Sequence, residues 1–130
     1  MPKREYLNAD TRQRERAYSP AVKITGGTTI YLAGHTGYQD DRGETYPCDF
    51  DGQVRVAFER MRKTLEAAGG KLDDIVTMTV FITNMANGTR FTELRKEFFQ
   101  ESRYPASALI GIKELARPEM MIEIDRKSVV

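Results

Sequence analysis

The sequence predicts an α+β domain, and three observations lead there. Two stretches carry apolar residues at helical spacing, and several short stretches alternate as strands do. Helical and extended stretches also intermix along the chain instead of segregating into blocks. A mixed sheet with two helices on one face is the economical way to bury such elements, and it leaves the other face uncovered.

Taken in order, residues 1–17 are polar, with Lys3, Arg4, Arg12, Arg14 and Arg16 interleaved with Glu5, Asp10 and Glu15. Mixed charge of this kind reads as a solvated arm over the surface, and residues 18–130 as one domain. Residues 21–25 and 28–34 read as two short strands joined by a tight turn at Gly26-Gly27, because paired glycines supply positive φ. Residues 38–51, with Gly43, Pro47 and several acids, form a loop. Asp51 is a suitable N-cap for a helix whose buried stripe is Val54, Phe58, Met61, Leu65 and Ala68, ended by Gly69-Gly70. Residues 74–83 alternate. Val76, Met78, Val80 and Ile82 belong against helices, whereas Thr77, Thr79, Phe81 and Thr83 are too polar for a core. They are also too orderly for a bare solvent face, which predicts packing on another subunit. A second helix spans about 89–102 with Phe91, Leu94 and Phe98 as its stripe. Strands over 106–113 and 120–126 flank a turn at 115–119, giving the order β-β-α-β-α-β-β.

Composition narrows the function. A chain of 130 residues is one domain and buries enough surface to need no metal or disulfide staple. Lys and Arg number 20 against 19 Asp and Glu, a net charge of +1, which argues against a nucleic-acid or membrane-surface binder. Cys48 is the single cysteine, so no internal disulfide or cysteine-based zinc site forms. No cofactor or metal is expected. With no export signal or long apolar run, the expected location is cytoplasmic.

Motifs of phosphate loops, zinc proteases and serine hydrolases are missing from the sequence. His35 is the only histidine. Strand alternation puts it on one face with Tyr31 and Ala33, as a partly buried, hydrogen-bonded side chain or as a base. A Cys48/His35 nucleophilic pair lacks an orienting third group. Glu123 is more informative. It falls on the strand face opposite Ile122 and Ile124, the semi-polar side. A carboxylate there, covered by a subunit, would be desolvated into general acid/base range; the alternatives are a solvent carboxylate or half of an interface ion pair.

The run from Leu65 through Gly69-Gly70-Lys71-Leu72-Asp73-Asp74 to Thr79-Val80-Phe81-Ile82-Thr83-Asn84-Met85 resembles the central signature of the RidA (YjgF) family. The likeness extends to Tyr18-Ser19-Pro20, Ala33-Gly34-His35, Phe98-Phe99, Tyr104-Pro105-Ala106-Ser107 and Ile122-Glu123-Ile124, covering about 18–130. The resemblance implies a chorismate-mutase-like protomer in a barrel-like homotrimer, with small-molecule sites in the clefts between subunits. It also implies hydrolysis of reactive enamines and imines to a keto acid and ammonia. Glu123 corresponds to the glutamate that positions water, Tyr18 to a tyrosine lining the cleft, and Gly34 to a glycine whose backbone approaches the ligand.

Several positions depart from the hydrolytic members. Ser107 stands where they carry the arginine that grips the substrate carboxylate, and Leu109 replaces a small polar or thiol side chain. Ala33 replaces a serine, Thr92 an asparagine and His35 a glutamine. Losing a charge-assisted fork costs on the order of 2–5 kcal/mol in carboxylate binding. Arg95, one helical turn from Thr92, is the candidate replacement, ahead of Arg90 and Arg103. Three readings follow: a divergent enamine/imine hydrolase using Glu123, a non-catalytic small-molecule-binding trimer, and a ribonuclease. The last is disfavoured by the near-zero net charge and the lack of stacking aromatics beside a basic stripe.

Overall fold

A computed structural model describes residues 2–130. Nine elements follow in order: β1 (Lys3–Tyr6), α1 (Thr11–Glu15), β2 (Val22–Thr25), β3 (Thr29–Thr36), α2 (Phe50–Ala67), β4 (Ile75–Ile82), α3 (Gly88–Arg95), β5 (Ala106–Gly111) and β6 (Ile122–Val129). Four strands form the main sheet in the order β3-β6-β4-β5. β6 is antiparallel to both neighbours, and β4 and β5 are parallel, joined through α3. This is the expected mixed sheet.

The 18-residue α2 starts at Asp49, whose carboxylate accepts from the Gly52 N–H. The N-cap is therefore two residues ahead of the expected Asp51, which sits instead in the first turn, where a negative charge complements the helix dipole. Val54, Phe58, Met61 and Leu65 are buried as their spacing requires; Ala68, the last residue of the expected stripe, is exposed because the helix ends at Ala67 and Ala68 is its C-cap. Phe58 stacks on Phe98 at 4.3 Å between centroids and meets Phe99 edge-on at 5.9 Å. Gln53 is fully buried and fully used: its amide donates to the carbonyls of Tyr46 (2.9 Å) and Glu119 (3.0 Å) and accepts from the Met121 N–H (2.9 Å). It ties two loops to the helix, since a buried amide must be satisfied.

Three expectations need correcting. The strands around Gly26-Gly27 do not pair with each other. The two glycines do turn with positive φ (75° and 82°), but β2 pairs with β1, Lys3 opposite Thr25 and Tyr6 opposite Val22, as a separate two-stranded ribbon. The N-terminal segment is thus an ordered strand and helical turn, held by Arg4 on Asp74 (2.9 Å) and on the Val129 carbonyl. Secondly, α3 ends at Arg95, not near Ser102. The next three N–H groups bond back three residues, not four; this tighter turn brings both Phe98 and Phe99 onto the core. Finally, β5 stops at Gly111 and β6 runs three residues further than expected, to Val129.

The alternation of β4 is as predicted, with Ile75, Val76, Met78, Val80 and Ile82 buried and Thr77, Thr79 and Phe81 half-buried. Tyr31 (76% exposed) and Ile110 (41% exposed) lie on the other side of their strands from the core. One face of the sheet is therefore packed under α2 and α3, and the other is open.

Gly37, just past β3, touches the backbone of α2: a Cβ there would lie 1.7 Å from the Gln53 carbonyl oxygen. Gly37→Ala should force strand and helix apart and cost on the order of 1–3 kcal/mol or more, read as a lower urea midpoint with an unchanged slope.

Candidate functional site

A cavity of about 220 Å³ lies where the N-terminal segment, α3 and the edge strand β5 meet. It is built from the chain outward. After α1 the backbone turns through Ala17, buried and in the left-handed region (φ 61°). Ser19 then docks on the free edge of β5. Its N–H donates to the Pro105 carbonyl (3.0 Å) and its hydroxyl to that of Tyr104 (2.6 Å). That docking presents Tyr18 to the cavity beside Ser107 and Leu109 of β5 and Thr92 and Arg95 of α3. Five of the candidate residues are thus brought together.

Arg95 dominates the cavity. It is only 2% exposed, its Nη1 donates to Ser107 Oγ at 2.6 Å, and its Nη2 donates to the Arg16 carbonyl at 2.8 Å. The guanidinium also lies 5.1 Å from the centre of the Phe91 ring, a favourable cation–π distance. Burial, and then the positive charge of Arg16, push its pKa down to about 10, so it stays charged at neutral pH. Nε has no partner. Arg90 and Arg103, the weaker candidates, are engaged elsewhere, Arg90 with Asp51 and Glu93 and Arg103 with the Asp73 carbonyl.

Glu123 is not in this cavity. In the sheet it stands opposite Phe81, on the open face, while Ser107 stands opposite Met78, on the helix-covered face. Because side chains alternate along each strand, the two leave the sheet on opposite sides. Gly34 accompanies Glu123: a Cβ on Gly34 would lie 3.0 Å from the Glu123 carboxyl, so a side chain there would press on that carboxylate. The candidate residues therefore form two half-sites, Gly34 with Glu123 on the open face and Tyr18, Thr92, Arg95, Ser107 and Leu109 at the sheet edge.

His35 belongs to neither. The β3–β6 register shifts between Leu32 and His35. The extra residue turns His35 to the helix side, opposite Ile124, instead of leaving it in line with Tyr31 and Ala33. Its Nε2 donates to Thr64 Oγ1 (3.0 Å), whose hydroxyl donates to the Arg60 carbonyl (3.1 Å). Its Nδ1 lies 2.7 Å from Arg126 Nη2 and 2.8 Å from the Ala33 carbonyl oxygen. Both ring nitrogens are occupied, so no Cys48/His35 pair exists. Arg126 itself is buried, and also donates to the carbonyls of Ile124 (2.7 Å) and Ala33 (3.2 Å); burial lowers its pKa to about 10.

Sequence reasoning missed three cavity or support residues. Arg12 and Arg16 line the cavity, and their i, i+4 spacing was the available signal. Arg126 shares the parity of Ile122 and Ile124, which marks it as core-facing. Among the described residues, no group of three or more metal-ligating side chains occurs, and no helix is long and apolar enough to cross a membrane.

Comparison with known proteins agrees with this architecture. A family model described as Endoribonuclease L-PSP matches residues 10–130. A 2-iminobutanoate/2-iminopropanoate deaminase of Dermatophagoides farinae is 33% identical over 113 residues, covering 87% of this chain and 85% of that protein. The putative reactive intermediate deaminase TdcF of Escherichia coli K12 is 28% identical over 123 residues, 92% and 94% of the two chains. Among solved structures, RidA of an Antarctic Psychrobacter superposes with a TM-score of 0.72 at 30% identity, over 87% and 88%. YyfB of Yersinia pestis, a Rid-family protein of unknown function, does so with a TM-score of 0.87 at 25% identity over 98% of both chains.

His35 offers a pH readout of this geometry. Burial, reinforced by the charges of Arg126 and Arg60 and opposed by the Ala33 carbonyl, lowers its pKa from 6.5. The folded state thus binds fewer protons than the unfolded chain. Stability from this group is present above pH 6.5 and is lost as pH falls through that value and then through the lower folded one. The urea midpoint should fall between about pH 7.5 and 5.5, and His35→Gln should flatten that fall.

Proposed function

The chain belongs to the endoribonuclease L-PSP family, that of RidA (YjgF), and on that premise we propose that it hydrolyses a small enamine or imine bearing a carboxylate. One observation carries the reading: Arg95 is buried within 2.6 Å of Ser107 Oγ, beside Tyr18 and Thr92. A cation thus reaches the point where the resemblance expects an arginine and the sequence has serine. The guanidinium has five N–H donors in a planar fork. Ser107 and the Arg16 carbonyl use two, which leaves donors for a carboxylate.

The water-positioning group is Glu123 of a neighbouring copy. Within one protomer the two half-sites leave the sheet on opposite sides, so a single cleft requires the open face of one copy to meet the edge of another. A closed homotrimer does this with one repeated contact. It also covers Tyr31, Ile110 and Phe81, and the reading requires no cofactor.

In the proposed reaction Arg95 and Ser107 hold the carboxylate of the substrate and fix its C=N carbon near the carboxyl of Glu123. The imine enters protonated, as the iminium; Glu123 takes a proton from water as the new C–O bond forms and the C=N electron pair goes to nitrogen. Glu123 then gives that proton to the nitrogen of the neutral carbinolamine. As the C–N bond breaks, the carbinol hydroxyl loses its proton to Glu123 and on to the departing ammonia, so the keto acid and an ammonium ion remain. The names of the Dermatophagoides and E. coli relatives support this class of substrate. A non-catalytic binding trimer is the second reading, favoured by Ser107 itself, which supplies no charge.

Turnover is measured as ammonia released from imines made in situ by an amino-acid oxidase. Glu123→Gln should lower kcat about 10²-fold or more. Arg95→Met should instead raise KM, lowering kcat/KM by roughly 30-fold or more. Unchanged turnover in Glu123→Gln would remove the mechanism. Ligand binding without turnover in the wild-type protein would establish the second reading.

A further inference from the structure

The edge cavity holds more positive charge than a single carboxylate uses. Arg12, Arg16 and Arg95 all line it, with Tyr18, Thr92 and Ser107, and no carboxylate does. Among the described residues none of the three forms an ion pair. Arg42, Arg55, Arg62 and Arg90, by contrast, sit on carboxylates. Three cations around a space of about 220 Å³, roughly the share of seven waters, repel one another, and an entering anion relieves that repulsion.

The arrangement is built, not loose. Arg12, on α1, and Arg16, the C-cap of that helix, are one helical turn apart, and both line the cavity. Arg14, between them, turns away and donates to the Ala9 carbonyl. The short helix is fastened at both ends, by the reciprocal Asp10–Gln13 cap and by Arg95 Nη2 on the Arg16 carbonyl. The buried guanidinium of Arg95, its Nε unpartnered, joins that helix to the site.

We infer that the N-terminal segment supplies a second anion subsite, and that the substrate is a dianion, a small imino acid with two carboxylates. One carboxylate lies on Arg95 and Ser107, as in the proposed function on which this rests, and the other on Arg12 and Arg16. The likeness to YyfB spans 98% of both chains, so the substrate-selecting segment falls inside the matched region there.

The test uses the full-length protein with two probes of equal chain length, succinate and butyrate, titrated by calorimetry. Succinate should bind at least about tenfold more tightly than butyrate, with a ratio that shrinks as salt rises. Arg12→Gln combined with Arg16→Gln should bring the ratio to near one. Arg12 is exposed, and Arg16 serves the fold through its backbone carbonyl, so this double variant is expected to fold. Arg14→Gln, on the other side of the same turn, should keep the ratio. A wild-type ratio near one, or a ratio that survives the double substitution, overturns the second subsite, whether or not Glu123-dependent imine hydrolysis is found. A ratio that behaves as expected in a protein that hydrolyses no imine upholds the subsite and removes the deaminase reading alone.

Discussion

The period-two pleat of the main sheet is the constraint from which the site follows. Register places Glu123 beside Phe81 and Ser107 beside Met78, and positions an odd number of residues apart on β4 face opposite ways. With α2 and α3 over one face, every residue paired with Phe81 looks toward open space, and every residue paired with Met78 looks toward the helices or the sheet edge. The carboxylate of Glu123 and the guanidinium of Arg95 thus lie on opposite sides of the sheet, and in the proposed function contact between copies joins them across the half-buried, semi-polar open face.

Arg95 is where the second half-site and the chain's N-terminal segment become one structure. Its guanidinium spans from Ser107 to the Arg16 carbonyl, so the segment that delivers Tyr18, Arg12 and Arg16 is fastened by the same group to which the proposed function gives the substrate carboxylate. Burying a charge without a carboxylate partner is costly, and Arg126 repeats the pattern under β3 with His35 and two carbonyls. In both cases backbone carbonyls and a neutral side chain replace the usual counter-ion. Both leave their Nε unpartnered, and Arg95 also lines the edge cavity.

Much of this was legible in the sequence where burial is one-sided. Val54, Phe58, Met61 and Leu65 declare α2, and the alternation of β4 and β6 declares which face is open, so Glu123 could be placed without coordinates. The reach of Arg95 to Ser107 was also foreseeable from its spacing to Thr92. What stayed hidden has physical reasons. β1 alternates exposed Lys3 and Glu5 with half-buried Arg4 and Tyr6 and so carries no hydrophobic pattern, and its pairing with β2 runs through backbone groups. The bulge between Leu32 and His35 reverses parity through one extra residue, which composition does not mark. The tightened turn after α3 preserves the apolar residues of a longer helix while ending it. Arg12 and Arg16 look like solvated arm charges until Ser19 docks that arm on β5.

A complementation experiment addresses the shared cleft most directly. Glu123→Gln and Arg95→Met chains, each strongly impaired alone at substrate concentrations below KM, are co-expressed and their mixed oligomers assayed for ammonia release at those concentrations. If each cleft joins Glu123 of one copy to Arg95 of the next, random equal mixing should rebuild about a quarter of the clefts intact and restore a corresponding share of activity. Mixed oligomers that show no more turnover than either parent would contradict it.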